Sequence, residues 1–323
     1  MRAAVLHSAG EVPAFGDLPD PEAVPGRTVV RVTAAPLVPL DLLCASGTSY
    51  FGVPALPYVP GVQGVGVVET SAALPQGTRV WFATSAGMAP GNGSHAERCL
   101  VADTDLVPVT AEVGDAALAA LGLSAVAAWQ ALTWRAALRP GETVLVLGAG
   151  GAVGQSAVGA ARVLGAGRVL AVARSEEARE RARRLGADAV VPLSADADAL
   201  TAALAEAAGG AVDVVVDPVF GVAATAASRV LAEGGRLVNL GGASGDLAEF
   251  SSAVLRSRTA AVLGYTNYAL TADQRREALT AVAGHAAAGR LAVAHEEVPL
   301  ADVGEAWRRQ AGGDVGVRLV LTP

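Results

Sequence analysis

From Met1 to about Asp115 the apolar positions come in short runs. "AAVLH", "TVVRVTAAPL", "GVGVVET", "TRVWFAT" and "AERCLV" are rich in Val, Thr and aromatics, and Pro- and Gly-bearing stretches such as "PDPEAVPG" and "LPQG" separate them. Short β-branched runs punctuated by turn formers predict strands, and an antiparallel, barrel-like domain is their natural assembly. From about Asp115 the rhythm changes. Ala-rich amphipathic helices alternate with the apolar segments "TVLVLG", "RVLAVA", "AVVPL", "VDVVVD", "RLVNLGG" and "AAVLGYT", the βαβ alternation of a parallel, doubly wound sheet. A helix from about Ala272 to Ala288 follows, then strand-like "AHEEVPL", a helix "ADVGEAWRRQ" and a terminal strand "VGVRLVLTP" that complete the first domain. The predicted class is therefore α/β, with residues 1–117 and 265–323 in one domain and 118–264 in the other.

One segment of the second domain carries chemistry. Gly148, Gly151 and Gly154 follow the predicted strand Thr143 to Leu147 and sit at the mouth of a helix that runs through Leu164. In a βαβ unit the first glycine permits the tight turn, the second lets the backbone approach a pyrophosphate, and the third lets helix and strand pack closely. The helix amino end, with Ala152 and Val153, then offers unpaired N–H groups and the positive end of its dipole. A dinucleotide is predicted there. About 20 residues further on, an NAD site usually places Asp or Glu at the end of the second strand. Here that strand, Arg168 to Ala173, ends in Arg174 and Ser175. A carboxylate would repel a 2′-phosphate, whereas a guanidinium and a hydroxyl bind one. Arg179, one helical turn beyond Ser175, adds a second cation, and NADPH is the predicted cofactor. The plainer alternative, that Arg174 and Arg179 are solvated surface charges beside Glu176, Glu177 and Glu180, stays open.

Composition narrows the class. The chain has 323 residues, room for two domains, and is 52% hydrophobic with a formal net charge of -7. No cluster of Lys and Arg is interleaved with aromatics, so a nucleic-acid partner is not expected. The start "MRAAVLHSAG" lacks a signal-peptide core, which predicts a cytoplasmic protein. The apolar stretches Leu118 to Ala128 and Val153 to Leu164 fall short of the ~20 residues a membrane span needs. Two cysteines, Cys44 and Cys99, form no disulfide framework and read as packing residues.

With "AAPLVPLDLLCASG", "LPYVPGVQGVGVVE", "AWQAL", "RPGETVLVLGAGGAVG", "SEEARERARRLGAD" and "VDVVVDPV" in this order, the chain resembles the medium-chain dehydrogenases and reductases, and within them the zinc-free quinone oxidoreductase branch. The resemblance covers nearly the whole length. It implies a GroES-like antiparallel β-barrel catalytic domain beside a Rossmann cofactor domain, and a homodimer formed through the sheet edge near Thr259 to Tyr265. Zinc-dependent relatives hold their metal with a Cys three before the aspartate matching Asp41, a His in the place of the middle residue of "GVQ", and a third ligand just before the cofactor domain. Those places are Val38, Val62 and a residue near Leu123 here. A hydrophobe cannot donate to zinc. His7, His95, His285 and His295 are scattered without ligand spacing, so no metal is expected. The chain also departs from the zinc-free pattern: Val38 stands where that branch often has Asn, Ala127 where it has Thr, and Leu193 where it has Tyr, so the pocket is more apolar than usual.

Without a Lewis acid, ketone–alcohol interconversion is disfavoured. Hydride addition to a quinone or an α,β-unsaturated carbonyl leaves its charge on a delocalised enolate and asks mainly for positioning in a dry pocket. By the resemblance the loop "SGTSYFG" covers that pocket, with Tyr50 as the candidate catalytic residue and Val38, Val62 and Trp129 as further lining; Tyr50 as an ordinary loop aromatic and Trp129 as core are the alternatives. Leu240 to Gly242 and Gly264 to Thr266, including Gly241 and Tyr265, follow cofactor-domain strands, where backbone groups hold a nicotinamide. Asp217 reads as a loop cap. The expected activity is an NADPH-dependent quinone or enone reductase; an enoyl-thioester or tailoring reductase, and a nucleotide-binding protein with little turnover, are the alternatives.

Overall fold

The Val- and Thr-rich runs of the first third are strands in the computed structural model, which describes residues 1–313 and 315–323. Numbered in chain order, β1 (Arg2–Val5) pairs antiparallel with β2 (Ala14–Asp17). β3 (Arg27–Pro36), β4 (Gln63–Thr70), β5 (Arg79–Ala83) and β7 (Leu106–Pro108) pair successively as antiparallel neighbours, and β6 (Arg98–Ala102) pairs with β3. Val30, Val32, Val68, Val80, Phe82 and Leu106 fill the core beneath them. The short helix α1 (Pro39–Ser46) starts at a proline, whose fixed φ suits a first helical position, and stops at Gly47, which takes the left-handed φ of 74° that ends helices.

The parallel sheet contains β8 (Thr143–Val146), β9 (Arg168–Ala173), β10 (Ala189–Pro192), β11 (Val212–Asp217), β12 (Leu231–Asn239) and β13 (Ala261–Gly264). Their spatial order is β10-β9-β8-β11-β12-β13, with every neighbouring pair parallel. The connecting helices are α3 (Ala152–Val163), α4 (Glu176–Arg184), α5 (Ala197–Ala208), α6 (Gly221–Ser228) and α7 (Ser252–Ser257), preceded by α2 (Asp115–Gln130) and followed by α8 (Ala272–Ala287). Sheets covered on both faces carry continuous apolar strands rather than alternating ones; Leu145, Leu147, Leu170, Val172 and Val215 accordingly belong to one buried cluster with Leu200, Leu204 and Leu237. Chain order reverses on either side of β8, which makes the carboxyl ends of β8 and its neighbours the ligand-binding edge of such a sheet. The tail returns to the first sheet: β14 (His295–Pro299) pairs with β15 (Arg318–Thr322), β15 pairs antiparallel with β3, and α9 (Val303–Gly312) lies between them in sequence.

The fold is thus the GroES-like sheet plus the Rossmann-like parallel sheet that the sequence pattern predicts. Three details differ. The structural units are 1–122 with 279–287 and 293–323, and 123–278 with 288–292, so the return lies later than 265. Residues 265–278 stay with the parallel sheet because Tyr265 N donates to Asn239 O (2.9 Å), Asn267 Nδ2 to Leu123 O (3.0 Å) and Gln130 Nε2 to Gln274 O (3.1 Å). The apolar helical run is also longer than its pattern suggested. It extends from Asp115 to Arg135, 21 residues, bent at Gly122, whose φ of 32° and ψ of -132° are not helical. By length and composition alone it could cross a membrane; most of it is buried inside the protein. Finally, β2 and β7 carry no strand signal of their own.

Candidate functional site

The three glycines of the cofactor loop are there for different reasons. Gly148 has φ of 63°, and a Cβ on it would lie 2.5 Å from Val219 Cγ1, so the turn after β8 requires glycine. A Cβ on Gly154 would meet Ala149 Cα at 2.6 Å and Gly148 O nearer still; there α3 lies directly on the turn. Gly151 is unlike both. Its φ of -82° and ψ of 165° suit any residue, and a Cβ on it would find only Gly148 O, at 3.7 Å. Nothing in the fold demands glycine at this position, and the space beside it is open. Gly151 is the N-cap of α3, and a helix leaves the N–H groups of its first turn, here Ala152, Val153 and Gly154, without partners of its own. Gln155 Nε2 donates to Gly150 O at 2.9 Å and braces the loop from behind. An open cradle, unpaired donors and a helix dipole together fit a pyrophosphate.

At the end of β9, Arg174 and Ser175 are exposed. Ser175 is the N-cap of α4: its Oγ accepts from Ala178 N at 3.2 Å, which leaves its O–H free to donate outward. Arg179 is not the outward-facing second cation the spacing predicts. Its Nη1 donates to Arg174 O (2.8 Å) and Ala173 O (3.3 Å), and its Nη2 pairs with Glu176 Oε2 at 2.6 Å. A guanidinium is long and forked enough to reach back over the turn, and the strand-end carbonyls take it, that of Arg174 and, beside the bond it already accepts from Leu193 N, that of Ala173.

Further along the same carboxyl edge, Asp217 closes β11 as a loop cap: Oδ1 accepts from Val219 N (3.0 Å) and Phe220 N (2.7 Å). It is fully buried, and burial pushes its carboxyl above the usual range. Asn239, which the sequence did not single out, ties the neighbouring loop together by donating to Gly241 O at 2.8 Å. Leu240 N donates to Asp217 O (2.8 Å). Gly241 and Leu240 are half-buried, and Gly264 is exposed at the end of β13. Tyr265 donates its hydroxyl to Asn267 Oδ1 at 2.6 Å, and burial raises its pKa. Gly148 to Gly154, Arg174, Ser175, Leu240, Gly241, Gly264 and Tyr265 therefore all lie at or just past the carboxyl ends of strands of one sheet. Trp129 lies half-buried in α2 within the same unit.

In the first unit, Val38 and Val62 are drawn together by a residue whose role the sequence did not reveal. Asp41 is 1% exposed. Its Oδ2 accepts from Val38 N (2.8 Å) and its Oδ1 from Val62 N (3.0 Å), so one carboxylate clamps both positions where zinc-dependent relatives carry ligands. His95, fully buried, donates from Nε2 to Pro36 O (3.2 Å) and stands 3.8 Å from Asp41 Oδ2. Burial raises the Asp41 pKa and lowers that of His95. Arg318 Nη1 donates to Leu37 O at 2.8 Å, and burial lowers its pKa to about 10. Zinc does not fit this place: two of its positions present isopropyl groups, and among the described residues no group of three His, Cys, Asp or Glu side chains could hold a metal ion. Burial also raises the Cys44 thiol to about 11 and that of Cys99 to about 12, as packing cysteines. Tyr50 sits in the turn after α1, 80% exposed, its ring 4.2 Å from that of Phe51.

This geometry has known counterparts. Residues 24–111 match the family model described as an alcohol dehydrogenase GroES-like domain, and residues 152–284 the one described as a zinc-binding dehydrogenase. The chain is 26% identical over 302 residues to the quinone oxidoreductase of Homo sapiens, with 91% of this chain and 89% of that protein covered. It is 32% identical over 298 residues to a phenolphthiocerol/phthiocerol polyketide synthase subunit of Mycobacterium tuberculosis; that match covers 91% of this chain and spans only 13% of the synthase subunit. Among solved structures, the quinone oxidoreductase from Thermus thermophilus, also solved with NADPH, superposes with a TM-score of 0.80 at 32% identity over all of both chains. A GroES-like unit with a Rossmann-like one, bearing a glycine cradle at the switch point, defines an oxidoreductase that uses a nicotinamide cofactor. The chain belongs to the medium-chain dehydrogenase/reductase superfamily, in its quinone oxidoreductase-like branch.

Proposed function

We propose that this protein is an NADPH-dependent reductase of quinones or α,β-unsaturated carbonyls that works without zinc. The observation that carries the proposal is the Asp41 clamp, which holds two valines where a metal would need donors. NADPH, when bound, supplies a hydride. A conjugated carbonyl that took up that hydride at its β-carbon would carry the π electrons on its oxygen, and a proton would complete the reduction. Delocalisation makes this possible without a Lewis acid. The chain's contributions are to hold the pyrophosphate at Gly151 and the α3 amino end, to choose the cofactor through Arg174 and Ser175, and to keep water from an apolar pocket wall that includes Val38 and Val62. Trp129 is assigned a substrate-lining role, and Leu240, Gly241, Gly264 and Tyr265 the nicotinamide side. We assign the proton relay to Tyr50, whose exposure keeps its hydroxyl in exchange with solvent.

Two further parts belong to this reading. The free edge of β13, with Val262 37% exposed, is the surface through which two copies pair as a homodimer. Free, buried thiols at Cys44 and Cys99 suit the reducing cytoplasm.

The test is elemental analysis of the purified protein together with NADPH oxidation against matched enones and saturated ketones. Less than stoichiometric zinc, activity that survives chelation, and turnover confined to the conjugated partner are expected. One bound zinc per chain, or faster reduction of the saturated ketone, refutes the mechanism. The match to a polyketide synthase subunit favours a second reading, an enoyl-thioester substrate; a kcat/KM higher for an enoyl thioester than for the free enone of the same chain length would establish it.

A further inference from the structure

The side chain of Arg179 is 16% exposed, and its nitrogens are spent on neighbouring groups of the same turn. Nη1 spans the carbonyls of Ala173 and Arg174, at 3.3 and 2.8 Å. Nε and Nη2 both donate to Glu176 Oε2, at 3.1 and 2.6 Å. Glu176 is braced in turn by Arg183, whose Nη1 lies 3.2 Å from Oε1. On the other side of the turn, Ser175 is fixed by its own bond from Ala178 N. The three residues Ala173, Arg174 and Ser175 are therefore pinned from both directions, and the pins leave only the Arg174 side chain and the Ser175 hydroxyl proton facing outward. A carboxylate 2.6 Å away also cancels most of the charge Arg179 would offer an approaching anion.

We propose that Arg179 is a positioning residue for cofactor selection. It acts through the backbone of residues 173–175, setting where Arg174 and Ser175 present their donors, and is not itself a ligand of the 2′-phosphate. The proposal rests on the NADPH reading above. It separates two roles that look alike in sequence, because a cation four residues past the serine can serve either by its charge or by its shape. Lysine keeps the charge but gathers its three donors on one nitrogen, so it cannot reproduce the spread by which Nε, Nη1 and Nη2 reach the strand-end carbonyls and Glu176 from different sides.

The experiment is titration of NADPH and NADH binding to the unmutated protein, Arg179→Lys, Arg179→Gln, Arg174→Gln and the double variant Arg174→Gln/Arg179→Gln, with melting curves for each. Positioning predicts that Arg179→Lys and Arg179→Gln each lower the preference for NADPH by about tenfold, the worth of one misplaced charge-assisted bond, with NADH affinity unchanged. It also predicts that Arg179→Gln costs little further preference once Arg174 is gone, since nothing is left to position. Full preference retained by Arg179→Lys, or losses from the two single variants that multiply in the double one, would overturn the proposal while the NADPH reading stands. Equal affinities for NADPH and NADH in the unmutated protein would instead remove that reading and the proposal with it. If Arg179→Gln fails to fold, Arg179→Lys and Arg174→Gln still decide the matter.

Discussion

The contrast between Gly151 and Gly154 gives a prediction in which fold and binding come apart. Gly151→Ala introduces a methyl group with no protein atom nearer than 3.7 Å, at an extended backbone position. Restricting the unfolded chain stabilises by about 0.4 to 1 kcal/mol, while alanine is a poorer N-cap than glycine, so the two effects largely offset. The folded protein should melt within a few degrees of the unmutated one. The same methyl fills the space the pyrophosphate needs. Losing two charge-assisted bonds to backbone N–H groups, at about 1.5 to 3 kcal/mol each, amounts to about 3 to 6 kcal/mol, or about two to four orders of magnitude in Kd. Gly154→Ala behaves in the opposite order. Its Cβ would fall 2.6 Å from Ala149 Cα, a backbone atom that cannot rotate away, so α3 must shift from the turn at a cost of about 1 to 3 kcal/mol. At this chain size that lowers Tm by about 2 to 4 °C for each kcal/mol. Thermal melting by circular dichroism and fluorescence titration with NADPH, on both variants, make the comparison. Normal NADPH binding by a folded Gly151→Ala protein would show that the open space is not a phosphate cradle.

Three other outcomes follow from the site. Arg174→Ala should lower NADPH affinity by about 10- to 100-fold and leave NADH affinity unchanged; a variant that still prefers NADPH as strongly as the unmutated protein would dismiss Arg174 as the selector. Tyr50→Phe should lower kcat by up to ~100-fold if its hydroxyl relays the proton, and an unchanged kcat would leave solvent as the donor. Asp41→Ala removes the acceptor of two buried backbone N–H groups, each costing about 1 to 3 kcal/mol when unpaired; urea unfolding should show a loss of about 2 to 6 kcal/mol, and a loss under about 1 kcal/mol would mean that the clamp holds nothing.

How far the sequence went depended on whether a feature was local. The cofactor half was legible because each of its parts is a short-range pattern: an apolar strand, a glycine turn, a small-residue helix. β9 begins and ends where the pattern placed it, at Arg168 and Ala173. The strands that escaped notice are those whose existence depends on a distant partner. β7 has three residues, too few for a period, and is a strand because Val107 and Leu106 pair with Trp81 and Phe82. β2, "AFGD", includes residues disfavoured in strands and is held by β1. The return of the chain to its first unit was placed too early for the same reason, since hydrogen bonds from Asn267 and to Gln274 span 144 residues in sequence.

The side chains divide along the same line. A glycine's purpose is readable from its neighbours in the chain, whereas an ionised side chain acts on whatever the fold brings within reach. Arg179 looked like a ligand because its charge and its distance from Ser175 are visible in sequence, and the strand-end carbonyls that the fold brings to it are not. Asp41 went further unnoticed, as an alignment mark between two valines. Only the folded chain brings Val62 N, 21 residues away, onto the second oxygen of a carboxylate whose first already caps its own helix. A buried carboxylate is costly unless its lone pairs are filled. The two amides satisfy one site on each oxygen, and in doing so tie Val38 and Val62 to one side chain. The residue that ties the two valines together is thus one that acts only through their backbones.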